Sequence, residues 1–564
     1  MKVKSLSLQP TIREEDGRRV YVWKTARLTA QSPDELNQSQ SYDAIRGSLP
    51  GSDVLVSSFR SWEEVGRWYD SLQLEKIKPS AQVREKAEEL TKGLTDDDAK
   101  LRAIYNYVSL RFHYVNNAFD TGRYQPHAAA EVLANQYGDC KDKHTLLAAL
   151  LSAVGIRAYA ALISSRTMVD PDVPMPGPFD HVISVVPKGN MLLWMDTTPE
   201  LTPIGYLLYN LRGKPALVIA PDKVSFQTTP TNAPFETKYT NAVTAKLAPD
   251  GTLQAHVQVD DRGDGAELFY RSVFRRQPES QWKEMAQKNF YGGLLGGTII
   301  SVGVDAPEKT DEPLKITYDY TLKDFFGGEK HRFVVPLSPA SIPAVQDKDM
   351  SRTTPLWLGY PGEYLYESRI ELPEGWSVSQ TVALDLKESF AEFQGSTEIH
   401  DGVVVTKRRL FLKSDELLPD QLTSYKAFQK AISDNHNLYI FLYPPGSNLP
   451  ASSPSATQSS WALAIESAWT DAEKEHFRSC VSHISNSESE TALQRQSIAA
   501  GCLIGEEERH WTQLHPEAAS RKQDTTGLQK CFQEHFAEMK VPATFHSAFD
   551  ACMSRSYGLT VTTK

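Results

Sequence analysis

Tyr137-Gly138-Asp139-Cys140-Lys141-Asp142-Lys143-His144-Thr145-Leu146-Leu147 is the stretch whose reading decides the fold of this 564-residue chain. Leu146, Leu147, Leu150, Leu151 and Val154 recur at helical i, i+3 and i+4 spacing, and Gly155 stands where a helix would stop. The pattern predicts a buried helix with Cys140 at or just inside its N-terminus. Unpaired amide N–H groups and the positive end of the helix dipole converge at such a position, and both favour a thiolate. That environment is one of the few that makes a cysteine nucleophilic at neutral pH.

Downstream come Phe179-Asp180-His181-Val182-Ile183 and Leu193-Trp194-Met195-Asp196-Thr197-Thr198-Pro199. A cysteine, a histidine and an aspartate in this order are the set required for thiol acyl transfer: nucleophile, proton acceptor and a carboxylate that orients the imidazole. Two predicted strands joined by Pro187-Lys188-Gly189-Asn190 carry the last two residues. A hairpin centred on that turn sets His181 opposite Asp196. Each residue alone has a plainer reading, since a cysteine beginning a helix is usually a core residue and Asp196 before Thr-Thr-Pro suits a turn. His144, one turn beyond Cys140, is a competing partner, but no third group orients it, so it fits a thiol-tuning role better than a base. The joint pattern is the informative one.

Outward from this centre the chain changes character several times. Residues 1 to about 72 read as strands and turns ending in an amphipathic helix from Ser61, with Trp62, Val65 and Trp68 on one side. Ser80 is expected to cap a helix that turns Val83, Ala87 and Leu90 inward. Thr95 and Asp98 resemble a capping box ahead of Leu101, Ile104, Tyr105 and Val108. Strands follow at Tyr159–Ile163, His181–Val186 and Met191–Met195. Between the first two, Asp170-Pro171-Asp172-Val173-Pro174-Met175-Pro176-Gly177-Pro178 predicts a stiff crossover rather than a substrate gate. Residues 221 to about 443 alternate with period two between turn signals such as Pro249-Asp250-Gly251, with one helical insert from Arg275 to about Phe290. An uncharged Pro/Ser/Ala/Thr stretch to Ser460 reads as a linker, and a helical tail completes the chain.

Composition sets the outer limits. The formal net charge is −11 and no Lys/Arg-rich run stands out, so the chain lacks a nucleic-acid footprint. The longest apolar run, Leu146 to Ile156, is too short to span a bilayer. No apolar leader is visible in Met1 to Thr29, yet four of the five cysteines, Cys480, Cys502, Cys531 and Cys552, crowd the tail. Spacings of 22 and 21 positions within the pairs Cys480/Cys502 and Cys531/Cys552 suggest two helical hairpins, each stapled by a disulfide. Disulfides belong to an oxidising compartment, so a periplasmic or secreted location is expected, with an annotated start that falls late. No CxxC pair or acidic calcium loop is present, so neither metal nor cofactor is expected. Nothing in the sequence fixes an oligomeric state.

The run Tyr124-Gln125-Pro126-His127, Glu131-Val132-Leu133, Tyr137 to Lys143, Leu146-Leu147 and Gly155-Ile156 closely resembles the transglutaminase-like superfamily. Phe179-Asp180-His181 and Trp194-Met195-Asp196-Thr197-Thr198 are similar to that family's histidine and aspartate motifs, in order and spacing. More narrowly, Arg19 to Tyr69 looks like the tail of a DUF3857 domain of the kind that precedes such cores in bacteria. The resemblance spans roughly residues 15 to 443. It implies an α+β multidomain protein with a papain-like core, in which Cys140, His181 and Asp196 are catalytic. An oxyanion donor besides the Cys140 amide would come from Gln125 or Tyr124. The expected division is 1–72 DUF3857-like, 73–220 catalytic core, 221–345 and 346–443 two β-sandwich or barrel-like domains, 444–460 linker and 461–564 helical tail. The implied activity is cleavage of peptide or protein amides through a thioester, resolved by water or by an amine. A non-catalytic peptide-binding scaffold of the cell envelope is the alternative.

Overall fold

Local capping chemistry and apolar spacing account for the helices of the computed structural model. It describes residues 1–447 except 7, 27–44, 47–52, 116–122, 328–330, 341 and 379–381, together with 552–554. The chain divides into two compact units, Met1–Leu449 and Pro450–Lys564. The first opens with strands β1 (Lys2–Ser5), β2 (Thr11–Glu15), β3 (Arg18–Val22) and β4 (Val54–Ser57), paired as β1 with β4 and β2 with β3. Helix α1 (Trp62–Gln73) begins at Ser61, whose hydroxyl accepts the Glu64 N–H, and α2 (Ala81–Leu90) begins at Ser80 in the same way. Helix α3 (Asp97–Arg111) is capped by Asp96, which accepts the Ala99 N–H. The Thr95/Asp98 box expected there does not form; the cap falls one residue later, on the better-capping Asp96, whose N3 residue, Ala99, has no side chain to reach back.

Strand β5 (His113–Tyr114), helix α4 (Ala129–Asn135), strand β6 (Tyr137–Gly138) and helix α5 (Cys140–Ala153) follow. Helix α5 stops at Val154, and Gly155 takes φ +84° beyond it, a left-handed turn that favours glycine. Leu146, Leu147, Leu150 and Leu151 on α5 are fully buried against α2, α3 and α4. Each such side chain contributes about 1.5–3 kcal/mol by leaving water. These leucines anchor the cysteine's helix in the centre of the core.

Five antiparallel strands lie beside α5, in the order β11 (Val224–Thr228), β10 (Pro215–Ile219), β7 (Tyr159–Ile163), β8 (His181–Lys188) and β9 (Met191–Met195). Ala160, Leu162, Leu217 and Ile219 turn to Val65 and Tyr69 of α1. Ala161, Ile163, Ile183, Val185 and Val218 turn the other way, to Leu207 and Leu211. Both faces are therefore covered, which is why these strands read as apolar runs. Helix α1 belongs to this core by its packing, and the β10–β11 hairpin carries the sheet past residue 220 to Thr228.

The β8–β9 hairpin differs in register from the sequence expectation. Lys188 pairs with Met191 across a two-residue loop, Gly189-Asn190, rather than a four-residue turn, so Ser184 pairs with Met195. The shift is two positions, and a two-position shift preserves the face. His181 and Asp196 are thus diagonal neighbours instead of direct opposites. Strand β1 and its partner hold the proline-rich crossover: Lys4 Nζ lies 2.7 Å from Asp170 and 2.9 Å from Asp172. Trp62 Nε1 donates to the Pro171 carbonyl at 2.7 Å, and Ser57 donates to that of Pro174.

Beyond the core, one eight-stranded sheet runs in the order Thr298–Val304, Leu314–Leu322, Leu253–Arg262, Lys238–Leu247, Gly362–Glu371, Val403–Leu412, Ala391–His400 and Val382–Lys387. The parallel pairing of Lys238–Leu247 with Gly362–Glu371 joins its halves. Two separately closed β domains meeting at 345/346 are therefore replaced by a shared sheet, although Val345 to Ile432 do keep a core cluster of their own. The helical insert is also broken: α6 (Ala266–Arg276) ends before Pro278, and Glu279–Asn289 restarts after it.

In the second unit only Cys552–Ser554 are described, as a short buried helical segment. Cys480, Cys502 and Cys531 lie outside the described residues, and no disulfide joins two residues within them. The expected pairing, and the helical hairpins it would staple, fall outside the described residues. Among those residues no helix is long and apolar enough to cross a membrane.

Candidate active site

Cys140 is the first residue of α5, and the loop before it is fixed by two carboxylates. Asp139 accepts the amides of Lys141 at 3.1 Å and Asp142 at 3.3 Å and is ion-paired with the Lys141 ammonium. Asp142 reaches back to the Asp139 amide and accepts the His127 N–H at 2.8 Å, so the segment before α4 is tied to the cysteine loop. Gly138 is required by this closeness, since a Cβ there would lie 2.6 Å from Asp142 Cβ. The cap takes the second and third amides of the helix and leaves the Cys140 amide at its head.

His181 begins β8 and Asp196 directly follows β9. His181 Nε2 lies 2.8 Å from Asp196 Oδ2, with the two side chains only 12% and 2% exposed. Thr198 N–H donates to the other carboxylate oxygen at 2.9 Å, and Tyr105 donates to the Asp196 carbonyl at 2.9 Å. Burial acts to lower the histidine's pKa. The Asp196 charge and hydrogen bond, with a hydrogen bond that the ring donates to the Cys140 sulfur, outweigh it and hold His181 well above its ordinary value. For Asp196 burial acts upward, and the His181 charge holds the carboxyl below its usual range. The imidazole is therefore bracketed by the Cys140 sulfur on one side and a carboxylate on the other, both accepting from a charged ring.

Stability should report this pair directly. His181, raised, contributes fully below its unfolded value of 6.5 and loses that contribution as pH climbs through its folded value. Asp196, lowered, contributes fully above 3.8 and loses it as pH falls through its folded value. The difference in thermal midpoint between wild type and His181→Gln should be greatest between these limits and shrink on the alkaline side. A difference that widened above neutrality would overturn the assignment.

The three residues open onto a cavity of about 650 Å³, lined also by Tyr69, Tyr114, Tyr124, Phe179 and Asp180. Tyr124 sits on the wall, edge-on to Trp68. Gln125 is exposed and does not line the cavity, so of the two oxyanion candidates only the tyrosine is at the site. His144 is buried and bonds Ser184 at 2.7 Å; burial drives its pKa down to about 4, so it is a neutral core histidine.

Two tyrosines escaped the sequence reading. The Tyr69 hydroxyl is buried with no hydrogen-bond partner among the described residues. Tyr114 is in register with Gly138, two residues before Cys140, and burial together with the Cys140 charge pushes its phenol up to about 12. A two-residue strand has no period, so Tyr114 carries no sequence signal beyond its position after α3.

Residues 84–165 match the model of the transglutaminase-like superfamily, and the chain thus carries a transglutaminase-like core. The match includes Cys140 and ends before His181 and Asp196, which the fold brings to it. Residues 331–442 match DUF3858, a domain of unknown function with a solved structure. No curated protein matches the chain. One solved structure similar to it is a "putative protease" from Parabacteroides distasonis, with 12% identity and a TM-score of 0.48, covering 78% of this chain and 68% of that one.

Proposed function

We propose that the protein is a cysteine acyl-transfer enzyme that opens peptide or protein amides through a thioester on Cys140. The observation that carries this reading is His181, set between the Cys140 thiol and the Asp196 carboxylate at a cavity wall. In the first half-reaction the Cys140 sulfur attacks the amide carbon and the C–S bond forms. The C–N bond then breaks as His181 gives its proton to the departing nitrogen. The developing oxyanion faces the Cys140 amide at the helix head, with the hydroxyl of Tyr114, which lines the cavity, as a second donor. In the second half-reaction His181 removes a proton from water or an amine, which attacks the thioester and releases sulfur. Asp196 keeps the ring oriented throughout. The clustering of four cysteines in the tail supports an extracytoplasmic location.

Water and amine share every step up to the thioester, so the products decide between them. Incubation with a peptide library, with and without a primary-amine probe, should give cleaved peptides in mass spectra if water is the acceptor. Probe incorporated at glutamine, with ammonia lost, would identify a protein-glutamine acyltransferase. Hydrolysis is the favoured outcome, because Asp180, Ser165, Arg166 and Asn210 give the cavity a polar side that does not exclude water. Peptide binding that is identical in wild type and Cys140→Ala, with no product from either, would replace the enzyme by a binding scaffold.

A further inference from the structure

Strand β5 is held on two sides. Its partner β6 receives the amides flanking Tyr114: His113 N–H donates to the Gln136 carbonyl and Val115 N–H to that of Gly138, both at 3.1 Å. The Tyr114 amide points the opposite way, where no strand lies among the described residues, and donates to Glu200 Oε1 at 2.9 Å. Glu200 follows Asp196 by four residues and adopts φ +64°, a left-handed conformation that is strained for a side chain of this type. Its own carbonyl accepts the Ser109 hydroxyl at 2.7 Å. One residue therefore connects the aspartate's loop, the end of α3 and the tyrosine strand.

Glu200 is in turn gripped from outside the core. Arg275, near the end of α6 in the β-rich region, lies 3.4 Å from Glu200 Oε2, donates to the Leu110 carbonyl and reaches Glu308 at 3.8 Å. Lys143 of α5 approaches the same place from within, donating to the Phe112 carbonyl at 2.7 Å. Arg275 and Glu200 are both four-fifths buried, so the pair is sheltered from screening.

We propose that Arg275 and Glu200 are positioning residues: the β-rich region, through this ion pair, sets the Tyr114 strand and the Asp196 loop at the distance from Cys140 that acyl transfer needs. The inference rests on the acyl-transfer reading and gives the companion sheet a part in the site. A charged carboxylate is needed at Glu200 because it accepts from a backbone amide and a guanidinium together, and the strained backbone places it there. Truncating Arg275 frees the carboxylate to swing to water, and the Tyr114 amide then loses its acceptor.

The test uses the full chain. Arg275→Ala and Glu200→Gln are each expected to lower kcat about tenfold with KM nearly unchanged, since a small misplacement of a donor is felt in the transition state. Arg275→Lys should recover part of the loss. In a Tyr114→Phe background Arg275→Ala should cost less than about twofold, because the two changes remove one interaction. Hydrogen exchange of a peptide spanning residues 112–115 should quicken in Arg275→Ala whether or not turnover is measurable. Multiplicative kcat losses, or unchanged exchange in that peptide, would overturn the proposal. Wild-type protein with no Cys140-dependent product but faster exchange in Arg275→Ala would instead remove the acyl-transfer reading and leave the brace standing.

Discussion

Cys140→Ala is expected to lower turnover by about 10⁶-fold, leaving only the rate that binding and the oxyanion donors supply, and His181→Ala to do the same. The two losses should not add, because nucleophile and base act as one unit: without the thiol the imidazole has nothing to activate, and without the imidazole no proton reaches the leaving nitrogen. Asp196→Ala should be milder by one to two orders of magnitude, about 10⁴-fold, since it misorients a ring that is still present. The Asp196 site is also built into the fold through Thr198 and Tyr105, so this variant must be checked for its thermal midpoint before its rate is interpreted. Iodoacetamide should reproduce the loss by alkylating Cys140, the free cysteine of the described residues. Measured product from Cys140→Ala at even a hundredth of the wild-type rate would remove the cysteine from the chemistry.

The parts of this site that were legible in the sequence are those fixed by short-range rules. The leucine spacing after Cys140 announces α5, and Ser61 and Ser80 announce the starts of α1 and α2. The meeting of His181 with Asp196 survived an error of two in the hairpin register, because a shift of two leaves both residues on one face. An error of one would have separated them. What could not be read is non-local. The pairing of Lys238–Leu247 with Gly362–Glu371 joins strands more than a hundred residues apart, and period-two alternation says nothing of which strand is the neighbour. Glu200 looks like a turn residue, and only the folded chain shows its carboxylate filling the free edge of β5. Gln125 was suggested by its place in a motif, but the backbone turns it outward.

The attachment of the core to the shared sheet should give the largest single loss of stability. Arg212 Nη1 and Nη2 lie 2.7 and 2.9 Å from the two oxygens of Asp264, with side chains only 3% and 6% exposed. Tyr206 donates to the same carboxylate at 2.6 Å, and Arg212 Nε donates to the Leu207 carbonyl at 2.9 Å. Asp264 sits between Gly263 and Gly265, at φ +99° and +109°, in a loop that follows Leu253–Arg262 of the large sheet. Replacing Asp264 by alanine strands a buried guanidinium, and the expected cost is about 3–5 kcal/mol. The double variant Arg212→Met with Asp264→Leu should recover much of that loss, because most of the cost lies in the uncompensated charge rather than in a missing attraction. Urea unfolding followed by tryptophan fluorescence measures both. If the double variant is no more stable than Asp264→Ala, the pair's hydrogen bonds to Tyr206 and Leu207, and not its charge balance, hold the two parts together.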